Sequence, residues 1–376
     1  MTANRRVLVI GGGTAGNTAA ILLRRGGLHV ELIEAKPDWN AANGSGITLQ
    51  GNALRVLREI GVWDRVLASG YAFDELGLTA LDGTVLHVQA DIKTGGEDLP
   101  ATVGMQRPQL QQILIDAVIE SGADVRLGVT ATSLEQHGET VTVTFSDAQE
   151  REYDLVIGAD GLNSRTRAMI GIETVPEPTG MAIWRTPAPR PAGITRTDLA
   201  YGGPCHIAGY CPTSETTVYA YLVENLRDRA DLDPATYAEH MRSLAEAYGG
   251  VWPEIAATIT DASKVNYTRF DKMLVEGSWH RGRVVLAGDA AHTCPPTLAQ
   301  GAAMSMEDAL VLAELLSSAH AWDDELFTRY YERRVRRVRP VLEASVQIGQ
   351  WQLDGVRDAD VPGLLYRALA PLAQLP

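Results

Sequence analysis

The chain has 376 residues, 45% of them hydrophobic. That is enough for two domains and for a core that needs neither disulfides nor a metal. Lys and Arg number 33 against 47 Asp and Glu, a net charge of −14. This balance excludes a protein built around nucleic-acid phosphates. Such apolar content excludes a disordered chain, and no apolar run approaches the ~18–20 residues of a membrane span. The three cysteines, Cys205, Cys211 and Cys294, form no C-x-x-C pair, so neither a disulfide framework nor a Cys-rich zinc site is expected. The N-terminus lacks the long apolar region of a secretory signal, and a cytoplasmic location is expected.

Residues 6–10 (RVLVI) read as a buried strand, followed at once by Gly11-Gly12-Gly13-Thr14-Ala15-Gly16. A helical pattern over 17–25 closes at Gly26-Gly27, and 29–34 (HVELIE) reads as a second strand. Strand, glycine turn, helix and strand within about 30 residues make a right-handed βαβ unit. A second helix is expected over 53–59. Alternation over 71–89 with Asp82-Gly83 at its centre predicts a hairpin. Helical spacing returns over 106–120. Strands follow at 125–127 and 141–145, with His137-Gly138 turning between them, and at 154–157. The middle segment, 180–266, mixes strands at 207–211 and 217–223 with a helix over 234–248. A further apolar strand at 283–287 precedes long helices over 300–318 and 324–350. Nucleotide-type βα signals thus stand at both ends, with a strand-rich insert between them. This predicts a doubly wound α/β domain assembled from discontinuous segments, plus a sheet domain. The basic run Arg333, Arg334, Arg336, Arg337 and Arg339 reads as a solvated helix face.

Gly11-x-Gly13-x-x-Gly16 lies between a strand and a helix. There Gly11 permits the tight turn, Gly13 lets a pyrophosphate approach the backbone, and Gly16 lets helix and strand pack closely. The helix N-terminus presents free N–H groups and positive dipole to phosphates. Glu34 ends the second strand, where an acidic side chain suits a ribose hydroxyl pair. Gly288-Asp289 follows the strand at 283–287, the end at which open α/β sheets bind ligands. After a Pro-rich turn, Gln300-Gly301-Ala302 opens a helix whose dipole would favour negative charge on a bound ring. Asp160-Gly161 follows another buried strand, with Ser164 and Arg167 after it. Arg107 begins a helix.

The ordered set Gly11-x-Gly13-x-x-Gly16, Glu34, Arg107-x-x-Leu110, Asp160-Gly161 and Gly288-Asp289-Ala-Ala-His292 resembles the single-component FAD-dependent aromatic hydroxylases, relatives of para-hydroxybenzoate hydroxylase. Pro296-Thr-Leu-Ala-Gln-Gly-Ala with Glu307-Asp308-Ala309 looks most like the salicylate hydroxylase and 6-hydroxynicotinate monooxygenase branch. Gly44-Ser-Gly-Ile47 fits the family's flavin-side loop. The resemblance covers about residues 5–60, 100–170 and 280–345. It implies a Rossmann-like FAD-binding domain over 1–70, 100–175 and 275–345. A β-sheet-rich substrate domain would occupy 71–99 and 176–274, and a C-terminal helical segment 346–376. It further implies that Gly11, Gly13, Ala15 and Gly16 meet the FAD diphosphate, and that Glu34 and Ala35 meet the adenosine ribose region. Ala131 would give a backbone contact to adenine. Arg107 and Asp289 would hold the pyrophosphate and ribityl regions, with Asp160 behind them and on the approach of the pyridine nucleotide. Pro296, Gly301 and Ala302 would flank the isoalloxazine. Two departures stand out. Thr293 follows His292 where this branch often has proline, and Thr48 replaces a histidine that 6-hydroxynicotinate enzymes hold near the flavin.

Only one dinucleotide fingerprint is present, which fits what the resemblance implies: NADH or NADPH docks transiently against the flavin. Reduced flavin would react with O2 to give a C4a-hydroperoxide that hydroxylates a small aromatic or heteroaromatic substrate. The group that activates the ring is sought in the middle segment. His206 and Tyr210 share one strand face by even spacing, with Tyr219 and Tyr221 on a facing strand. His206, Tyr210 and Pro296 are the catalytic candidates; His292 and Cys294 read as structural. The alternative is a flavin-dependent oxidoreductase or halogenase relying on a separate reductase, although the W-x-W-x-I-P segment of such halogenases is missing. No metal and no nucleic-acid partner is expected, and the protein would be a monomer or homodimer.

Overall fold

The computed structural model describes residues 5–40, 46–228 and 232–376. Its first layer is a six-stranded sheet. In spatial order the strands are His280–Arg281, Val284–Leu286, Leu155–Gly158, Arg6–Ile10, His29–Glu34 and Asp124–Leu127. All neighbours but the first pair run parallel. Both faces are covered, so these strands read as continuous apolar runs: Val7, Leu8 and Val9 are all fully buried. One face carries the helices Thr14–Arg25 and Gly301–Ser318, which pack on each other. The other is covered by a three-stranded antiparallel sheet, Ala131–His137, Thr140–Phe145 and Glu150–Tyr153.

The second layer is an eight-stranded sheet. Its order is His292–Thr293, Asn266–Leu274, Glu177–Pro189, Thr217–Asn225, Ile207–Pro212, Thr197–Tyr201, Glu75–Thr79 and Val85–Ala90. The last two strands form the expected hairpin, with Gly83 in the left-handed region (φ +87°) at its turn. Trp184, Ala220 and Leu222 on one face pack with residues of the helices Tyr237–Ala245 and Trp252–Thr258. The other face looks back toward the first layer. A small sheet, Gly46–Gln50, Thr102–Gln106 and Tyr71–Phe73, joins the two layers. The helix Asp324–Leu353 closes the molecule; the Asp323 carboxylate caps it by accepting from the Leu326 N–H at 3.0 Å. Among the described residues no helix is long and apolar enough to cross a membrane.

Three expectations need correction. His137-Gly138 does not turn between the strands at 125–127 and 141–145; it closes a hairpin whose first arm, Ala131–His137, is itself a strand. The helix expected over 234–248 is a 3₁₀ turn, Pro234–Thr236, followed by a shorter α-helix, Tyr237–Ala245. The basic run is not a solvated face. Arg334 is fully buried against Glu307 and Asp308, Arg337 pairs with Glu307, Arg333 with Glu314 and Arg339 with Glu276. Arg334 and Arg337 lie three residues apart, on the helix face that also carries Tyr330 and Val341, and two carboxylates of the neighbouring helix meet them.

Candidate cofactor and substrate cavity

The carboxyl ends of the parallel strands open onto a cavity of about 580 Å³ between the two layers. That is within the range of cofactor sites. Its floor is the glycine turn. Gly11 holds φ +106°, and a Cβ there would meet Ala159 O at 2.4 Å. A Cβ on Gly13 would meet nothing within 4 Å, so its open side faces the cavity. Gly13 is also the N-cap of the Thr14 helix and offers no side-chain cap, so the first N–H groups stay available. The carbonyl of Gly12 is held by Trp39 Nε1–H (3.0 Å) and Gln111 Nε2–H (2.8 Å), while its N–H donates to Glu34 Oε2 (2.9 Å). The turn is therefore rigid before any ligand arrives.

Another wall is built from Gly288-Asp289 and the Pro-rich turn that follows. The Gly288–Ala290 turn brings Asp289 to the cavity. Asp308 fixes this turn: its Oδ2 accepts from the Gly288 N–H (2.8 Å) and from His292 Nε2–H (2.6 Å). Burial alone would raise the Asp308 carboxyl, but His292 and Arg334 outweigh it and hold it below its usual 3.8. Enclosure by protein pushes the Asp289 carboxyl up, against the pull of His292 and Arg107. Pro296–Leu298 forms a 3₁₀ turn that ends at Ala299 in the left-handed region (φ +54°), a strained geometry for a residue with a Cβ. Beyond it the Gly301 helix begins without a side-chain cap, and a Cβ on Gly301 would meet nothing within 4 Å. Two uncapped helix N-termini thus face one cavity.

The cavity brings together Gly11, Gly13, Ala15, Glu34, Ala35, Arg107, Asp160, Asp289, Pro296, Gly301 and Ala302. The Asp160 carboxylate is held by Ser164 Oγ–H (2.5 Å) and the Thr166 N–H (2.9 Å), so the residue stands on the cavity wall itself rather than behind Arg107 and Asp289. Of the flavin-side loop, Gly46, Ile47 and Thr48 line the cavity, while Gly44 and Ser45 lie outside the described residues.

Four expected residues stand elsewhere. Gly16 does not line the cavity: its missing Cβ makes room for Gly11 O, a packing role. Ala131 is buried at the start of its strand, and its predecessors Val129 and Thr130 reach the cavity instead. Tyr210 sits on the helix-covered face of the large sheet, bonded to Asp198 (3.0 Å) and edge-on to Trp252. It pairs in register with Ala220, whereas Tyr219 and Tyr221 take the opposite face. His206 precedes that strand rather than sharing a face of it, bonds to Asn225 Oδ1 (2.8 Å), and does not line the cavity.

Other residues take the vacated places, among them Tyr219, expected only on a facing strand, and Cys294, expected to be structural. Arg185, Tyr219 and Cys294 line the cavity, and Trp39 and Gln111 close its glycine turn. Arg185 reaches it from the third strand of the large sheet and donates to Thr268 Oγ1. The Arg185 Nε is buried and has no hydrogen-bond partner. Tyr219 stacks on Tyr221 (centroids 4.9 Å apart), and burial pushes its hydroxyl up to about 12 against the pull of Arg185 and Arg107. Arg107 makes no hydrogen bond or ion pair among the described residues. A second cavity of about 260 Å³ shares Arg107, Arg185, Cys294 and Pro296 with the first.

The carboxylates of Glu34 and Asp289 on one cavity, a glycine cradle, two helix N-termini without side-chain caps and an arginine without a hydrogen-bond partner among the described residues fit a dinucleotide flavin. The comparisons agree. The FAD-binding-domain family profile matches residues 4–345. The 2-heptyl-3-hydroxy-4(1H)-quinolone synthase of Pseudomonas aeruginosa is 30% identical over 92% of this chain and 90% of its own. The 6-hydroxynicotinate 3-monooxygenase of Pseudomonas fluorescens is 30% identical over 92% and 91%. Klebsiella pneumoniae HpxO, solved with FAD and uric acid, superposes with a TM-score of 0.83 over 98% of this chain and 92% of its own at 21% identity, a likeness of fold. The chain belongs to the FAD-binding-domain family, among the FAD-dependent monooxygenases related to para-hydroxybenzoate hydroxylase.

Proposed function

We propose that this enzyme uses NAD(P)H and O2 to hydroxylate a small aromatic or heteroaromatic ring that carries an acidic group. The observation behind this reading is the pair Arg107 and Arg185 on one cavity, neither in a hydrogen bond or ion pair with a carboxylate among the described residues, with only the longer-range pull of Asp289 on Arg107. Like charges facing the same space disfavour each other unless anions arrive. The FAD diphosphate accounts for one guanidinium, together with Gly11, Gly13, Ala15 and the Thr14 helix N-terminus. Arg185, on the same cavity as Tyr219, is then left for a carboxylate of the substrate. The names of the two relatives, a hydroxyquinolone synthase and a hydroxynicotinate monooxygenase, point to heteroaromatic rings as well.

When bound, FAD supplies two-electron transfer from NAD(P)H and delivery of one oxygen atom from O2 to the ring. The protein's part is placement. Glu34 and Ala35 would take the adenosine ribose, and Asp289 the ribityl chain. Pro296, Gly301 and Ala302 would hold the flavin ring, where the Gly301 helix N-terminus would favour negative charge. The adjoining cavity, which shares Arg107, Arg185, Cys294 and Pro296 with the first, is where NAD(P)H would approach. Arg185 and Tyr219 hold the acidic group and so fix which ring carbon faces the oxygen.

The test compares hydroxybenzoates and hydroxypyridine carboxylates with their neutral methyl esters in NAD(P)H oxidation, for the wild type and for Arg185→Gln. A hydrogen bond to a charged group is worth about 1.5–3 kcal/mol, or roughly 10- to 150-fold. KM for the acid should rise by that factor in the variant, and KM for the ester should stay. Equal KM values for acid and ester in the wild type would refute the assignment.

A further inference from the structure

The Gly288 turn and the start of the Gly301 helix are two walls of the cavity, and both hang on charge buried behind them. Glu307 and Asp308, consecutive on that helix, are fully buried, as is Arg334 of the Asp324 helix. Arg334 Nε–H donates to Asp308 Oδ1 (2.7 Å), one terminal N–H to Glu307 Oε2 (2.8 Å), and the other to Met304 O (3.1 Å). The second oxygen of Asp308 takes the Gly288 N–H and His292. Glu307 Oε1 takes the Asn52 amide (3.2 Å), which also donates to Gln300 Oε1 (3.0 Å), the residue just before the helix. Arg334 itself lines neither cavity.

A buried arginine between two carboxylates is an expensive way to stabilise a fold, since well-packed apolar residues often do as well. What it adds is geometry: a planar fork can hold two neighbouring carboxylates in fixed orientation at once. Asp308 passes that orientation to the Gly288 N–H, one residue from Asp289. Gly288 is itself wedged at φ +63°: a Cβ there would stand 2.9 Å from Ser305 Oγ and 3.0 Å from Ala15 Cβ. The turn therefore has little slack, and a shift of Asp308 moves Asp289.

We propose that Arg334 is a positioning residue for the cofactor, setting through Asp308 where the Asp289 carboxylate stands. This rests on the cavity being the FAD site. Arg334→Lys keeps the charge and loses the fork; Asp308→Asn weakens the grip on Gly288 and His292; Tyr153→Phe cuts a buried bond to Glu31 (2.6 Å), neither residue lining a cavity, and serves as the control for softening. FAD dissociation is read from flavin fluorescence on dilution of the holoprotein, and the ring environment from visible circular dichroism. Arg334→Lys and Asp308→Asn should raise the FAD dissociation constant about tenfold or more, the scale on which outer partners act on a ligand site, and alter the flavin dichroism. Tyr153→Phe should lower the melting temperature and change neither. Wild-type FAD affinity and dichroism in both Arg334→Lys and Asp308→Asn would overturn the proposal, as would an equal loss in Tyr153→Phe. A wild-type chain that takes up no FAD would overturn the cofactor site as well.

Discussion

Two glycines of one motif, Gly13 at the turn and Gly16 in the helix after it, should fail in opposite ways when given a methyl group. At Gly16 the new Cβ would stand 1.9 Å from Gly11 O and 3.2 Å from Val9 Cγ1. Ordinary contact is about 3.5 Å, so helix and turn must part by roughly 1.5 Å. Gly11 cannot easily yield, because its N–H donates to Ile33 O (2.8 Å) and its φ is +106°. Overpacking costs about 1–3 kcal/mol or more, and the gain from Ala in a helix offsets only about 0.5–1. Gly16→Ala should therefore lose about 2 kcal/mol in urea unfolding of the FAD-free protein. At Gly13 the Cβ meets nothing within 4 Å and the backbone angles are ordinary (φ −85°, ψ −168°). Gly13→Ala should leave that unfolding curve where it is. Yet its methyl would fill the space through which a diphosphate nears the backbone, and about 1–3 kcal/mol of clash becomes a 5- to 150-fold loss of FAD affinity, read by titration. Unchanged FAD affinity in Gly13→Ala would refute the placement of the diphosphate on this turn.

Further outcomes follow from the charges. Burial alone would raise the Glu31 carboxyl, but the Tyr153 hydroxyl and the guanidiniums of Arg126 and Arg151 hold it below 4.5. A depressed carboxyl stabilises the fold above its unfolded value and loses that contribution as pH falls through the folded one. Urea unfolding from pH 6 to 3 should therefore show a steeper decline for the wild type than for Glu31→Gln. Burial, with Asp289 adding to it, pushes the Cys294 thiol up to about 12. Iodoacetamide at pH 8 should label Cys294 far more slowly than a free thiol, and Cys294→Ala should still bind FAD.

Much of the first layer was legible because its signals are local. The glycine turn, Glu34 and Gly288-Asp289 each sit within a few residues of an apolar strand. The same spacing that opens a tight turn also delivers the cavity wall. The large sheet was harder. Its strand Glu177–Pro189 holds three prolines and a glycine and reads as a loop. Pro187 and Pro189 are tolerated because pairing with the strand Asn266–Leu274 ends at Arg185, so no partner on that side needs their missing N–H. Hiding that strand also hid Arg185. Its signal was the alternation Met181, Ile183, Arg185, which puts a charge on an otherwise apolar face. Tyr210 and Tyr219 show a different limit. Period-2 spacing says which residues share a face, but only the strand pairing and the helices behind it say which face meets the cavity. The basic run misled because counter-charges on another helix cannot be seen from one helix alone, although Glu307-Asp308 was in view.

The most direct test is aerobic turnover of the FAD-loaded protein with NAD(P)H under ¹⁸O2 and a panel of acidic aromatic and heteroaromatic compounds, read by product mass. A product one oxygen atom heavier, carrying ¹⁸O and formed only with NAD(P)H present, is the expected result. NAD(P)H oxidation that no compound stimulates, with bound flavin and no labelled product, would contradict it.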